Sequence, residues 1–173
     1  MQTWDAIRAR RNVRQFTSEP VPAEALDRIL EAGRRSPSSK NTQPWDFVVV
    51  TDREQLTRLA QVWRFSLHVA DSAATIALIA PVVEDRRLRD AVQYDLGQVT
   101  MSMMIAAADL GIGTAHSSVG EQELAREILG LPPDRECAYL LSVGYPADRP
   151  LKPLKNPARR PFDEVVHRGQ WRP

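Results

Sequence analysis

Apolar residues recur along the chain with two different periods, and these predict a mixture of helices and strands. The helical period predicts five helices: at about residues 3–10, from Pro22 to before Pro37, from just after Thr51 or Asp52, at 86–110 and at 121–129. Thr3 is the predicted N-cap of the first helix, and Pro22 is the predicted first residue of the second. Nearly continuous apolar runs predict buried strands at residues 45–50, 75–80 and 139–145. No internal repeat or domain boundary interrupts the pattern, so we expect a single domain over residues 1–173.

The first strand and the longest helix carry the most informative patterns. The strand at residues 45–50 is too continuously apolar for an exposed sheet edge, so we expect it inside the sheet. The helix at residues 86–110 is amphipathic in its first half, whereas residues 101–108 are apolar on almost every face. Such a helix is buried on all sides, and a subunit interface is one way to bury it in a small domain.

Composition narrows the functional classes. The 173 residues are 43% hydrophobic with a formal net charge of +1, which is ordinary for a globular domain and gives no global attraction to nucleic acid or membranes. The first residues lack the basic and apolar regions of a signal peptide, and the longest apolar stretches are too short to span a bilayer. We therefore expect a cytoplasmic protein without a nucleic-acid or membrane partner.

Three arginines lie within five residues in the run Arg10-Arg11-Asn12-Val13-Arg14. Guanidinium groups match phosphate oxygens in pairs, and Asn12 adds a side-chain amide donor. If Arg10 closes a helix and Arg14 lies just beyond it, both heads converge on one anion. The alternative is a solvated helix end, where the helix dipole favours arginine.

A polar loop, residues 36–45, has the sequence Ser-Pro-Ser-Ser-Lys-Asn-Thr-Gln-Pro-Trp and leads into the first strand. Pro37 and Pro44 stiffen its ends, and a stiff polar loop at a strand end is a common place for ligand contacts. It suits a planar ring with hydrogen-bonding groups. The alternative is a connection whose side chains bond their own backbone. Further along, residues 115–118 follow a glycine-containing turn and offer backbone donors to a ligand.

The rest of the chain lacks recognisable catalytic machinery. The histidines show no metal-ligand spacing, so we predict no metal site, and Asp95 has no obvious partner carboxylate on its helix. Cys137 falls in an apolar strand, as expected for a buried small hydrophobe. P-loop and nucleophile-elbow motifs are absent. If the protein is an enzyme, a bound cofactor must supply the chemistry.

Five segments, in this order, resemble the nitroreductase family of FMN-dependent oxidoreductases. They are residues 10–16, 36–45, 106–114, 141–146 and 159–161, and the resemblance covers essentially the whole chain. It implies an α+β sandwich, with a mainly antiparallel sheet flanked by helices, in an intertwined homodimer with FMN at the interface. Residues 146–173, which hold six of the thirteen prolines and cannot bury a core of their own, would form an extended tail that wraps the partner subunit.

The resemblance also implies which residues hold the cofactor. The contacts implied in one subunit are Arg10, Arg11, Asn12 and Arg14, joined by Arg159 and Arg160; those from the other subunit are Pro37, Ser38, Ser39, Asn41 and Gln43; and Ser117 and Ser118 lie over the flavin ring near its N5. Arg14 would stabilise the charge of reduced flavin, and no side chain is assigned as a catalytic acid or base. Asn12 replaces the family's usual serine, and Ser117-Ser118 lacks the usual glycine.

The implied reaction is a ping-pong cycle in which NADH or NADPH gives hydride to flavin N5, and an electron-poor acceptor such as a nitroaromatic or a quinone then receives it. The sequence does not choose between NADH and NADPH. Alternatives with the same fold are dehalogenation, dehydrogenation and flavin cleavage. A non-catalytic FMN-binding protein and a small anion-binding module are alternatives of a different class.

Overall fold

The helices and strands of the protein follow the hydrophobic pattern of its sequence. A computed structural model describes residues 1–171. Its α-helices are α1 (Thr3–Ala9), α2 (Ala23–Arg34), α3 (Arg53–Leu59), α4 (Arg86–Asp109), α5 (Gln122–Leu129) and α6 (Phe162–Val165). Its strands are β1 (Asp46–Val50), β2 (Ala74–Pro81), β3 (Gly113–Ser118) and β4 (Arg135–Gly144), and short 3-10 turns lie at Ser39–Asn41, Ala60–Val62 and Leu67–Val69.

The four strands form one antiparallel sheet in the order β1-β2-β4-β3. On one face, Ile76 and Leu141 pack with residues of α2 and α4; on the other, Ala77 and Leu140 pack with residues of α3 and α5. The two central strands are therefore covered on both faces, which explains their continuous apolar sequences. The predicted α+β architecture, an antiparallel sheet flanked by helices, is confirmed.

Two helix starts differ by one residue from the sequence prediction. Gln2, not Thr3, is the residue before α1: its carbonyl accepts the first helical hydrogen bond, from the Ala6 N–H, and its side chain makes no capping hydrogen bond. Pro22 is the residue before α2 instead of its first residue. Asp52 caps α3 as expected, since its carboxylate accepts the Gln55 N–H at 2.8 Å.

The prediction that the first strand lies inside the sheet is wrong, because β1 is an edge strand. Phe47 packs against one core and Val48 against the other, while Val49 is 38% exposed. A continuous apolar run thus reports that both faces of a strand are covered. It does not report whether the strand has a neighbour on each side.

The long helix α4 has the predicted extent and is buried on most, but not all, of its surface. Met103, Met104, Ala107 and Ala108 are buried in the protomer. Three apolar side chains on the same helix, Leu88, Tyr94 and Met101, stay exposed at 61%, 71% and 36%. The protomer alone therefore does not bury α4 on all sides.

The predicted tail starts beside the N-terminal segment and ends at the surface. Ala147 donates its N–H to the Gln15 carbonyl at 2.9 Å, and Leu154 donates its N–H to the Arg8 carbonyl at 3.3 Å. The single turn of α6 interrupts the extended course, and Phe162 is 66% exposed. Arg172 and Pro173, the last residues of the predicted tail, lie outside the described residues. Among residues 1–171, every helix is too short or too polar to cross a membrane.

Candidate cofactor site

The arginine run lies against the outer edge of β3. Asn12 forms a parallel bridge with Thr114, and Val13 donates its N–H to the Thr114 carbonyl at 2.9 Å. Val13 is fully buried, and a Cβ on Gly113 would stand 2.7–2.9 Å from three of its side-chain atoms. The close approach therefore needs glycine at position 113, and it fixes the run on either side of Val13 to the strand.

Within the described residues 1–171, buried polar atoms without a hydrogen-bond partner gather around β3. They are Arg10 Nε, Asn12 Oδ1, His68 Nε2, Ser117 Oγ and Ser142 Oγ, and two further such atoms, Gln122 Oε1 and Arg126 Nε, belong to α5. Leaving a buried polar atom unpaired costs about 1–3 kcal/mol, so a cluster of them marks a place that water or a ligand must complete. Cationic, amide and hydroxyl groups together fit a phosphorylated heteroaromatic cofactor.

The backbone of β3 adds donors to the same edge. Because Val13 bonds the Thr114 carbonyl, the peptide groups of Thr114 point away from β4. Backbone groups alternate in direction along a strand, so the N–H groups of His116 and Ser118 point away from β4 as well. The edge beyond Asn12 therefore presents two backbone donors, in agreement with the sequence prediction for residues 115–118.

Ser117 and Ser118 lie on opposite faces of the sheet. Ser118 is paired with Tyr139 on the face that carries α4, whereas Ser117 is paired with Leu140 on the face that carries α3 and α5. Ser118 is exposed and Ser117 is buried. A strand directs consecutive side chains to opposite sides, so only one of the two can face a given ring. That this stretch lies over the flavin stays a prediction.

Two histidines lie beside the arginines, and sequence reasoning assigned them no role. Burial lowers the pKa of His68, Arg14 lowers it further, and backbone groups of Ala115 and Phe65 offset part of the shift. Burial also lowers the pKa of His116, followed by the charges of Arg10 and Arg14. Both imidazoles are therefore held neutral at pH 7 in a positive local field. Their sequence contexts carry no signal for this role, since the contacts are long-range.

An apolar cavity of about 300 Å³ lies between the end of α1, α4 and the sheet. Its walls include Arg10, Gln93, Gly97, Met101, Met104, His116 and Tyr139. Tyr139 donates its hydroxyl to Gln93 Oε1 at 2.7 Å, so the polar groups at that wall are paired. Arg10 and His116 connect this cavity with the edge of β3.

The polar loop has an unusual backbone and exposed side chains. Lys40, Asn41 and Gln43 all have positive φ angles, of 52°, 58° and 50°. Ser38 Oγ accepts the Gln43 N–H at 2.9 Å, so the loop does bond its own backbone in part, as the alternative interpretation proposed. Ser39, Asn41 and Gln43 nevertheless stay exposed. The loop therefore presents polar side chains outward from the protomer.

Three of the predicted contact residues have partners of their own. Arg11 Nη2 donates to Asp148 Oδ1 and to the Arg149 carbonyl, both at 2.7 Å, and this contact lowers the pKa of Asp148. Arg159 bonds the Ala158 carbonyl at 2.7 Å, and Arg160 bonds Glu164. Within one protomer the structure therefore uses Arg11 to anchor the tail, and Arg159 and Arg160 bond locally.

Cys137 is a fully buried residue of β4, and burial raises the pKa of its thiol to about 12. It is therefore the inert small hydrophobe that the sequence predicted. Among residues 1–171, His, Cys, Asp and Glu side chains form no group of three or more that could hold a metal ion.

The fold and this site together define an α+β protein whose sheet has one cationic, polar edge. The profile of the Nitroreductase family matches residues 7–74 and 59–145, and the chain belongs to that family. An oxygen-insensitive NADPH nitroreductase of Salmonella typhimurium is 31% identical over 185 residues, which cover 99% of this chain and 75% of that protein.

Solved structures agree with the assignment. An FMN-dependent nitroreductase from Clostridium difficile has a TM-score of 0.83 at 25% identity, covering 96% of this chain and 98% of that one. An NADPH:FMN oxidoreductase from Vibrio harveyi, complexed with NAD+, has a TM-score of 0.82 at 27% identity, covering 97% of this chain and 77% of that one.

Proposed function

We propose that this protein is an FMN-dependent oxidoreductase that uses NADH or NADPH to reduce electron-poor organic acceptors such as nitroaromatics or quinones. The observation that carries the proposal is the gathering of unpartnered buried polar atoms and two arginines around the outer edge of β3. The names of the Clostridium difficile and Vibrio harveyi structures support FMN as the cofactor and a pyridine nucleotide as the donor.

The residues present fit FMN, and they divide into two sets. We assign Arg10 and Asn12 to the phosphate, and Arg14 to the negative charge that reduced flavin carries. Arg11 is left out of this set because its guanidinium is already bound to Asp148. When bound, FMN accepts hydride from NAD(P)H and returns it to the second substrate.

The chain itself supplies orientation and electrostatics. Arg10 and Arg14 maintain a positive field at β3, which favours an anionic ligand. Burial first, and this field second, lower the pKa of His68 and of His116. The N–H groups of His116 and Ser118 offer hydrogen bonds to the polar rim of a ring. No side chain is assigned to proton transfer, and solvent can deliver protons to the product.

We further propose that the protein acts as a homodimer whose partner completes each site. The polar loop exposes Ser39 and Asn41, while Ser38 is half-buried, and the exposure of this loop supports its role as the contact to a cofactor held by a second copy. The exposed apolar side chains of α4 provide the surface that a second copy would cover. This arrangement would bury the helix on all sides, as its sequence predicts.

A groove of about 540 Å³ lies between α2 and β1. Its lining combines the apolar side chains of Leu30, Trp45, Phe47 and Val49 with five polar or charged ones, among them Glu31 and Arg34. The tail carries exposed apolar side chains of its own, including Phe162 at 66% and Trp171 at 74%. We propose that the partner's tail covers this groove and the open edge of β1.

Flavin binding and reduction test the proposal directly. Purified protein titrated with FMN should quench the flavin fluorescence, and NADH or NADPH should bleach the bound flavin without oxygen. Arg14→Ala should weaken FMN binding about 10- to 100-fold, as expected for the loss of a charge-assisted contact. Arg58→Ala is the matched control, because Arg58 of α3 forms an exposed pair with Glu127 of α5, and its loss should leave binding unchanged.

Each result has a clear meaning. Protein that takes up no FMN would refute the proposal. Tight FMN that neither nucleotide reduces would favour the non-catalytic binding protein instead. Wild-type affinity and wild-type reduction in Arg14→Ala would remove Arg14 from the site.

A further inference from the structure

We infer that Asp95 is a positioning residue that holds the polar loop in its ligand-presenting conformation. The inference rests on the proposed function in one respect, namely that the ligand of the loop is FMN. Asp95 itself lies in α4 and is not placed in contact with the cofactor. It acts through the backbone of Ser39.

The carboxylate of Asp95 is buried and serves the loop. Asp95 is 1% exposed, its Oδ2 accepts the Ser39 N–H at 3.0 Å, and its Oδ1 accepts the Gln98 side-chain amide at 3.4 Å. The ion pairs found within residues 1–171 do not include Asp95. A buried carboxylate without a cation depends on its hydrogen bonds, so the Ser39 N–H matters to it.

The loop needs an external anchor because its own backbone is unfavourable. Lys40, Asn41 and Gln43 have φ angles of 52°, 58° and 50°, a region that residues other than glycine rarely adopt. The Thr42 side chain and the Asn41 and Thr42 N–H groups bond within the loop. Among the hydrogen bonds of residues 37–43 in the described chain, the bond from Ser39 to Asp95 is the one that reaches another element.

The geometry gives this bond a specific consequence. Ser39 lies at the centre of the segment that contains Ser38 and Asn41, the predicted contacts to the cofactor of the partner subunit. Since α4 also carries the exposed apolar surface proposed for the dimer, Asp95 fixes the loop to the interface helix. Losing the hydrogen bond between Asp95 and Ser39 should release the loop without disturbing Arg10 and Arg14, which lie beside β3.

The test compares Asp95→Ala with Asp95→Asn, using FMN titration and amide hydrogen exchange of residues 36–45 measured by mass spectrometry. Asp95→Ala should weaken FMN binding by about tenfold or more and speed exchange in the loop, because the charge-assisted acceptor is lost. Asp95→Asn keeps a carbonyl acceptor of the same shape and should restore most of both properties. Gln98→Ala, which removes only the longer contact, should change little.

A second pair of variants tests the same bond from the loop, in case Asp95→Ala does not fold. Ser39→Pro removes the N–H donor, and the extended Ser38 backbone, with φ −145° and ψ 158°, tolerates a following proline. Ser39→Ala keeps that donor. Exchange at residues 40–45 should rise in Ser39→Pro and stay near wild type in Ser39→Ala.

The failure of this inference differs from the failure of the proposed function. If wild-type protein binds no FMN, the proposed function fails, while loop exchange in the variants still tests Asp95. If wild-type protein binds FMN and Asp95→Ala keeps both the affinity and the slow loop exchange, Asp95 is not a positioning residue. Unchanged exchange in Ser39→Pro would overturn the inference in the same way.

Discussion

The two edge strands of the sheet, β1 and β3, stand in different surroundings. At the β1 edge the strand itself is apolar, but the groove beside it has a mixed lining. Phe47 and Val48 pack into the two cores, and Val49 borders the groove next to α2, whose walls also carry charged side chains. The β3 edge is polar and partly occupied by the arginine run, which bridges it at Thr114. One sheet thus has one edge suited to a polypeptide and another suited to a charged small molecule.

The difference shows what each edge needs. An open apolar strand edge is a template for another chain, and proteins normally cover it. The β3 edge is instead surrounded by unpartnered polar atoms, including Asn12 Oδ1 and Ser117 Oγ, which a strand of apolar residues would leave unpaired. The comparison therefore supports the two proposals made above, that the partner's tail covers β1 and that the cofactor binds at β3.

The largest effect on stability and FMN binding is expected when a side chain is added between β3 and the arginine run. A Cβ at position 113 would lie 2.7–2.9 Å from three atoms of Val13, so Gly113→Ala should force the run off the strand. Overpacking of this kind costs about 1–3 kcal/mol of unfolding free energy, and FMN binding should fall with it. Urea denaturation and FMN titration measure the two effects.

The double variant Val13→Ala with Gly113→Ala serves as the control, because it gives back the volume that the new methyl group takes. It should recover part of the lost stability and of the FMN affinity. Unchanged stability and FMN binding in Gly113→Ala alone would show that the run is not held by this contact, and the assignment of β3 to the cofactor would lose its main support.

The second largest effect, on dimer stability and FMN binding, is expected when the tail that we propose to cover the β1 edge is removed. A chain that stops after Lys155 keeps the Arg8–Leu154 and Arg11–Asp148 contacts but lacks the exposed apolar residues of α6. It should leave β1 uncovered in the partner, so the dimer should dissociate at micromolar concentration and FMN should bind more weakly. Light scattering after size-exclusion chromatography measures the mass.

Val49→Lys tests the same contact from the β1 side with a full-length chain. A charge at this 38% exposed position should weaken the dimer in the same direction, but less than the truncation does. A stable dimer with unchanged FMN affinity in both variants would mean that the tail does not cover β1.

Much of the fold could be predicted from the sequence because its central elements have strong periods. The continuous apolar run of β2 and the long pattern of α4 were enough to place both within one or two residues. By contrast, β3 consists of small and polar residues, Gly-Thr-Ala-His-Ser-Ser, so the apolar pattern does not delimit a strand there. The edge position of β1 was missed because an apolar pattern indicates whether the two faces of a strand are covered. It does not indicate whether the strand has a neighbouring strand on each side.

The candidate site was only partly predictable, for a different reason. The arginine run and the polar loop were visible as local motifs, but the partners that organise them are distant in sequence. Asp95 is separated from Ser39 by 56 positions, and His68 reaches the site from a 3-10 turn with no motif of its own. Local spacing cannot report such contacts, since they arise only when the sheet and α4 have packed.

The smallest expected effect is on the pH dependence of the free energy of unfolding, through the two histidines near β3. Because burial and Arg14 lower the pKa of His68, the folded state binds fewer protons than the unfolded state below the ordinary histidine value of about 6.5. The free energy of unfolding should therefore fall as the pH is lowered from about 7.5 to about 5.5, with a contribution of the same sign from His116.

His68→Gln should flatten that profile, and His116→Gln should flatten it less because His116 is more exposed. Urea denaturation at a series of pH values measures both. The carboxylates with lowered pKa, among them Asp109 and Asp148, lose their stabilisation only below the ordinary value of 3.8, so they stay outside this window. Identical slopes for wild type and His68→Gln would show that neither burial nor Arg14 lowers the pKa of His68 in the folded protein, and the contrast between the two edges would then rest on packing alone.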